Sequence, residues 1–233
     1  MKKKKKTFMD WFSSGYLTLI LLFIYVPIAY VILFSFNDSK SLSHFTGFST
    51  QWYVNMFQDR TMMQSVYYTV LVAVVATVVS TVMGTLAAIG ISKNRKIIRT
   101  LILETNNLPV MNPDIVTAIG MMLLFISAKV QLSLVTLILS HITFCIPYVL
   151  LSVLPALSGI DWHLYEAARD LGATSRVAYR KVIWPELFPS IAGGFFIALT
   201  MSMDDFVVTY FTRGAGVETL STMIYGEMKR GIK

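Results

Sequence analysis

The 233-residue chain is 55% hydrophobic but only 14% charged, and its formal net charge is +7. A soluble domain of this length needs more polar surface than that. The basic residues gather beside the ends of apolar blocks, a distribution that argues for a membrane and against a nucleic acid as the partner of the positive charge.

The chain opens on MKKKKK, and Lys2 to Lys6 stand just before the first apolar block, where positive charge holds a terminus in the cytoplasm. That block runs from Gly15 to Phe36, with no charge between Asp10 and Asp38. It exceeds the roughly 20 residues that cross a hydrocarbon core of about 30 Å. It is too long for a signal peptide, and no small-x-small cleavage site follows. Residues 38–61 form an outer loop, with Trp52 and Tyr53 expected as interfacial anchors. Further spans are predicted over about 62–92, 107–128, 131–157 and 189–212, giving five in all. The second block carries no charge from Met62 to Ser92. Strict alternation over about ten residues is absent, so a transmembrane barrel is disfavoured. Kinks are expected at Pro27 and Pro147. Cys145 is the single cysteine and lies in an apolar run, so no disulfide framework exists.

With the N-terminus inside, the inner segments hold thirteen Lys and Arg residues and the outer ones seven. The bias supports that topology for a multi-pass cytoplasmic-membrane protein. It leaves a basic C-terminal end outside, which is awkward; either the protein is naturally short or a sixth span is missing, and the second is favoured. The chain is read as two parts, 1–61 with the first span and outer loop, and a core over 62–233.

Between the last two spans the sequence turns polar. Residues 164–190 read LYEAARDLGATSRVAYRKVIWPELFPS. Leu164, Ala167, Ala168 and Leu171 fall at i, i+3, i+4 and i+7, one apolar stripe on two helical turns. Asp161 is a suitable N-cap and Gly172 a left-handed stop. A second short helix can begin after Thr174 or Ser175, with Pro185 ending or kinking it. A solvated hairpin joining two spans explains the pattern only in part. Glu166 and Asp170 are like charges four residues apart, which costs an isolated helix about 0.2–0.5 kcal/mol. A basic partner surface offsets that cost.

The run EAARDLGATSRVAYRKVIWP resembles the EAA signature of the membrane subunits of bacterial type I ABC importers, at Glu166, Ala167, Ala168, Gly172 and Pro185. Val182 and Trp184 depart from the usual Ile and Leu but remain apolar. With MNPDIVTAIG, SHITFCIPYV and SMDDFVV, the likeness extends to the permeases of spermidine/putrescine importers over most of residues 10–233. The resemblance implies an all-α transmembrane bundle of six spans, the last missing here. It implies a cytoplasmic coupling loop over 158–188 that docks into an ATPase subunit. The implied partners are a homologous second permease, two copies of the ATPase that carry ATP and Mg, an extracytoplasmic polyamine-binding protein and membrane lipid, with no nucleic acid.

Asp114, Asp204 and Asp205 lie in or at the edge of spans, where an acid costs about 2.5–3.5 kcal/mol and faces the bundle interior or water. Asn112, Pro113 and Asp114 also read as N-cap, N1 and N2 of a helix, which by itself accounts for Asp114. Adjacent helical residues point about 100° apart, so one of Asp204 and Asp205 can face a pore while the other caps, pairs or lines a seam. A polyamine needs spaced carboxylates and aromatic faces, and Phe206, Tyr210 and Tyr148 can supply such faces, although most aromatics in spans simply pack. His141 is expected to be hydrogen-bonded between helices. No G-x-x-x-x-G-K-[ST] occurs, nor any catalytic set or metal-ligand cluster, so the chain is read as a transport subunit without cofactor of its own. Two alternatives stay open: a permease of the same architecture for another small solute, and a cation-coupled secondary transporter.

Overall fold

The computed structural model describes residues 8–230, so Lys2 to Lys6 and Lys233, which enter the charge count above, lie outside the described residues. Every regular element among the described residues is helical apart from one isolated bridge, Asn37 to Phe48. The chain divides into two compact units, one up to Met63 and one from Gln64 onward.

The first unit holds α1 (Phe8–Phe34) and α2 (Gln51–Gln58). The α1 helix continues through Pro27, and its apolar side chains are exposed along the span, Phe23 at 79%. Such a surface suits hydrocarbon surroundings. The loop after it is organised by Asn37, which is fully buried. Its Nδ2 donates to the Ser41 and His44 carbonyls, both at 2.8 Å, and its Oδ1 accepts from Thr46 N at 2.8 Å. Trp52, expected as an interfacial anchor, donates its indole N–H to the Asn37 carbonyl at 2.7 Å. Tyr53 shares a hydrogen bond with Ser35 Oγ and packs its ring 5.1 Å from Phe36. Both residues spend their polar atoms inside the loop.

The second helix of spanning length, α3 (Arg60–Ser92), leads into α4 (Lys96–Met111) and α5 (Asp114–Ser127). The predicted span over 107–128 falls on a bent pair, with α4 and α5 at 106°. The cause is local. Pro113 pushes the residue before it out of the helical region, and Asn112 sits at ψ 148°. Asp114 then opens α5 as its first residue, without a side-chain cap from Asn112, one position earlier in the helix than expected.

Helix α6 (Leu134–Gly159) is the centre of the second unit. It starts in a reciprocal capping box between Ser133 and Thr136 and buries Leu137, Phe144, Val149, Leu150 and Val153. After the short helices α7 (Trp162–Asp170) and α8 (Ser175–Ala178), a π-helical turn over Tyr179–Ile183 runs straight into α9 (Trp184–Asp204). The predicted fifth span over 189–212 is thereby shifted: helix is continuous over Ser175–Asp204 and breaks at Asp205. Pro185 does not stop it. It occupies the first turn of α9, and the π turn just before it absorbs the missing N–H. Helices α10 (Val207–Thr212) and α11 (Leu220–Arg230) follow.

Lipid tails are as apolar as leucine, so helices in a membrane associate by close packing over small residues. Val149 of α6 is fully buried between two glycines. A Cβ on Gly84 of α3 would meet Val149 Cβ at 2.8 Å, and one on Gly194 of α9 would meet Val149 Cα at 3.3 Å. Overpacking of that kind costs about 1–3 kcal/mol. Gly84→Ala is expected to lower the melting temperature of the purified protein in detergent. Gly90→Ala, on the same helix with open space around it, is expected to leave it unchanged or raise it. Equal behaviour of the two variants contradicts the packing described.

Candidate functional site

Two regions of the second unit gather the polar residues singled out above. The first is the elbow of α7 and α8. Asp161 caps α7, its Oδ1 accepting from His163 N at 3.0 Å. Gly172 closes the helix at φ +87°, a conformation that disfavours any side chain. Thr174 caps the next turn through Val177 N, and Arg169 Nη1 donates to Ser175 Oγ at 2.7 Å, tying the two short helices together.

The elbow is held to the bundle by aromatic rings. Tyr165 packs edge-on against Tyr179 at 5.8 Å, and both lie on the buried core. Of the predicted stripe only Ala168 is half-buried. Leu164, Ala167 and Leu171 face outward, Leu171 at 89% exposure. Glu166 and Pro185 are exposed as well. The residue that anchors the helix, Tyr165, was not singled out, because its spacing fits no leucine–alanine stripe. The segment joining α3 to α4 and the start of α4 lie on this same side: Lys93 Nζ sits 6.0 Å over the Tyr179 ring, and Arg99 Nη2 of α4 donates to Ser158 Oγ. A small helix thus turns Leu164, Ala167 and Leu171 outward, with Glu166, Arg169 and Asp170 exposed beside them.

The second region is the break between α9 and α10. The Asp205 side chain is turned inward and only 6% exposed. Its Oδ1 accepts from Val208 N at 3.2 Å, and its Oδ2 from Thr209 N at 2.8 Å and Thr209 Oγ1 at 3.0 Å. It satisfies the orphan donors of the α10 N-terminus and meets the positive end of that helix. His141 of α6 completes the knot, hydrogen-bonded to Ser202 Oγ at 2.8 Å and Thr209 Oγ1 at 3.0 Å, with Asp205 Oδ2 at 3.6 Å from its Nε2.

Asp204, one residue earlier, points the other way and is exposed. Near it α10 and α11 build an aromatic corner. Phe206 lies 4.6 Å from Tyr225 and 5.5 Å from Tyr210. Tyr225 was missed at the sequence level, since it lies past the last predicted span in a segment of mixed polarity. Asp114 is exposed at the start of α5, the helix on which α10 packs. Tyr148 of α6 is half-buried and packs 5.5 Å from Phe144. The structure therefore sorts the three acids: Asp205 is enclosed in the fold, while Asp114 and Asp204 remain exposed.

The model of the family described as binding-protein-dependent transport system inner membrane component matches residues 80–229. The spermidine/putrescine transport system permease protein PotC of Escherichia coli K12 is 35% identical, over 94% of this chain and 83% of that protein. PotC of Haemophilus influenzae is 32% identical, over 94% of this chain and 85% of its own length. The putrescine transport system permease protein PotI of Escherichia coli K12 is 30% identical over 90% and 77% respectively. Among solved structures, a bacterial ABC transporter involved in the import of the acidic polysaccharide alginate superposes with a TM-score of 0.68 at 20% identity, covering 97% of this chain and 86% of that one. At that identity the likeness concerns the fold.

Because Asp205 satisfies buried donors and Asp204 does not, the two should separate in a stability measurement. Asp205→Ala is expected to cost about 1–3 kcal/mol, the penalty of leaving buried partners unpaired. Asp204→Ala should stay within about 0.5 kcal/mol of the native protein. Melting curves in detergent check this, and an equal loss for both contradicts the sorting.

Proposed function

This chain belongs to the family of binding-protein-dependent transport system inner membrane components, and we propose that it is the permease through which an ATP-driven importer moves polyamines, spermidine or putrescine, across the bacterial cytoplasmic membrane. The observation that carries the substrate is the 35% identity to a spermidine/putrescine permease, sustained over 94% of the chain. The exposed Asp204 and Asp114 support it, as do the aromatic faces of Phe206, Tyr210 and Tyr148, since a polyamine is an apolar chain bearing spaced ammonium groups. In this reading Asp205 positions the pathway rather than touching substrate.

ATP is hydrolysed elsewhere, as the chain has no phosphate-binding loop. Two copies of an ATPase subunit hold the nucleotide and Mg, and one of them receives the elbow through Leu164, Ala167 and Leu171 with Glu166 at the rim. A homologous second permease completes the pore, an extracytoplasmic binding protein delivers the polyamine, and the N-terminus lies in the cytoplasm. The outward-facing leucines support the docking, because a helix ringed by charge exposes such residues at a protein contact.

Three variants test the reading in the assembled complex. Asp204→Asn and Asp114→Asn are each expected to reduce spermidine uptake about tenfold or more, with assembly intact, since a desolvated charge-assisted contact is lost. Leu171→Glu is expected to abolish copurification of the ATPase. Normal uptake by both acid variants overturns the pathway, and retention of the ATPase by Leu171→Glu overturns the docking.

A further inference from the structure

The turn after α10 carries a charge that no step of transport has used. Arg213 is the first residue beyond the helix, and its guanidinium carbon stands 6.0 Å over the ring of Tyr210. Its Nη1 donates to Glu218 Oε1 and to the Val217 carbonyl, both at 3.2 Å. The pair is partly open to the outside, with side chains 27% and 40% exposed. Beside it lies a cavity of about 560 Å³ lined by Tyr210, Arg213 and the turn over 214–218.

The backbone around Arg213 is fixed. The Thr212 carbonyl accepts from Thr136 Oγ1 at 2.9 Å. Gly214 lies so close to the loop before α6 that a Cβ would fall 2.5 Å from the Leu132 carbonyl oxygen. Gly216, at φ +80°, turns the chain back so that Glu218 meets Arg213. The scaffold is rigid while the cation it presents is a long side chain in a weak, part-solvated pair.

We propose that Tyr210 and Glu218 form a subsite for a substrate ammonium group, and that the guanidinium of Arg213 occupies this subsite until the substrate displaces it. An aromatic face and a carboxylate are the two groups that recognise an alkylammonium ion, and Arg213 engages both. The Tyr210 ring is shared with the Phe206–Tyr225 corner, so an ammonium seated there leads toward Asp204. Arg213 then acts as a built-in competitor: a solute with one weak positive charge does not displace it, while a chain with several cations does. The inference rests on the polyamine reading and adds to it a specificity-determining residue.

The test is equilibrium binding of radiolabelled spermidine to the purified permease–ATPase complex, free of binding protein, alongside uptake by the complete native transporter. Arg213→Gln keeps a hydrogen-bond donor for Val217 and removes the charge; it is expected to tighten binding about threefold to tenfold. Arg213→Lys retains a competing cation and is expected to bind like the native complex. Glu218→Gln is expected to weaken binding about threefold or more. A purely structural ion pair predicts a lower melting temperature in Arg213→Gln with no gain in affinity, and that result overturns the displacement while leaving polyamine transport standing. No polyamine uptake by the native transporter overturns the polyamine reading, and this inference with it.

Discussion

In a bilayer the hydrophobic effect holds helices in the membrane but does not hold them to one another. What joins this bundle is the room that glycine leaves on either side of one valine. Val149 touches α3 at Gly84 and α9 at Gly194, so three helices meet at a single level of α6. Ser152, one turn further along α6, donates to the Ser190 carbonyl of α9 at 2.9 Å and adds a polar tie where no water competes. The remaining core, from Phe144 through Leu157 to Ile191, fills in around that crossing. Any side chain larger than hydrogen at Gly84 forces the backbones apart, and each contact above and below loosens with them.

A second constraint acts at the acid pair. Consecutive carboxylates in a span would both need compensation if the helix simply continued. Instead the helix stops at Asp204, Asp205 swings inward to cap the next helix, and His141, Ser202 and Thr209 close around it. The break is what separates the two acids by environment. One becomes part of the protein's internal hydrogen bonding, which frees its neighbour to face outward without the two repelling each other across a shared site.

The spans were legible because apolar length is a strong signal and needs no tertiary knowledge. Legible too were the Asp161 cap, the Gly172 stop and the helix start after Thr174, since each depends on a few neighbouring residues. The errors come from proline read in one dimension. Pro113 breaks a predicted span into a bent pair, whereas Pro185, expected to end or kink a helix, does not end it and follows directly on a π turn. Which outcome occurs depends on whether packing can absorb the lost hydrogen bond, and Ile183 and Leu187, buried on either side of Pro185, supply that packing. The inward face of α7 was hidden for a similar reason. Tyr165 anchors the elbow through Tyr179, a ring fourteen residues away that only the turn at Gly172 brings near. Tyr225 joins Phe206 across a break and a loop, and no local pattern reports such a meeting.

The continuity of helix from Ser175 to Asp204 bears directly on how the two regions serve one process. At 1.5 Å per residue it forms a rod of about 45 Å, long enough to cross the membrane and stiff along its axis. One end begins in the elbow, where Arg169 and Tyr165 fasten α7 to it; the other ends at the acids. If the elbow is where an ATPase pushes, the push needs no relay of side chains, because the element that receives it also carries Asp204 at its far end. The π turn at Tyr179–Ile183 is the one place along the rod where the hydrogen-bond register already departs from α-helical. It lies between the elbow and the Gly194 crossing, and Tyr179 within it carries the ring contact to Tyr165. A helix of spanning length, a π turn near its base and an exposed acid at its end are therefore consecutive in one stretch of chain.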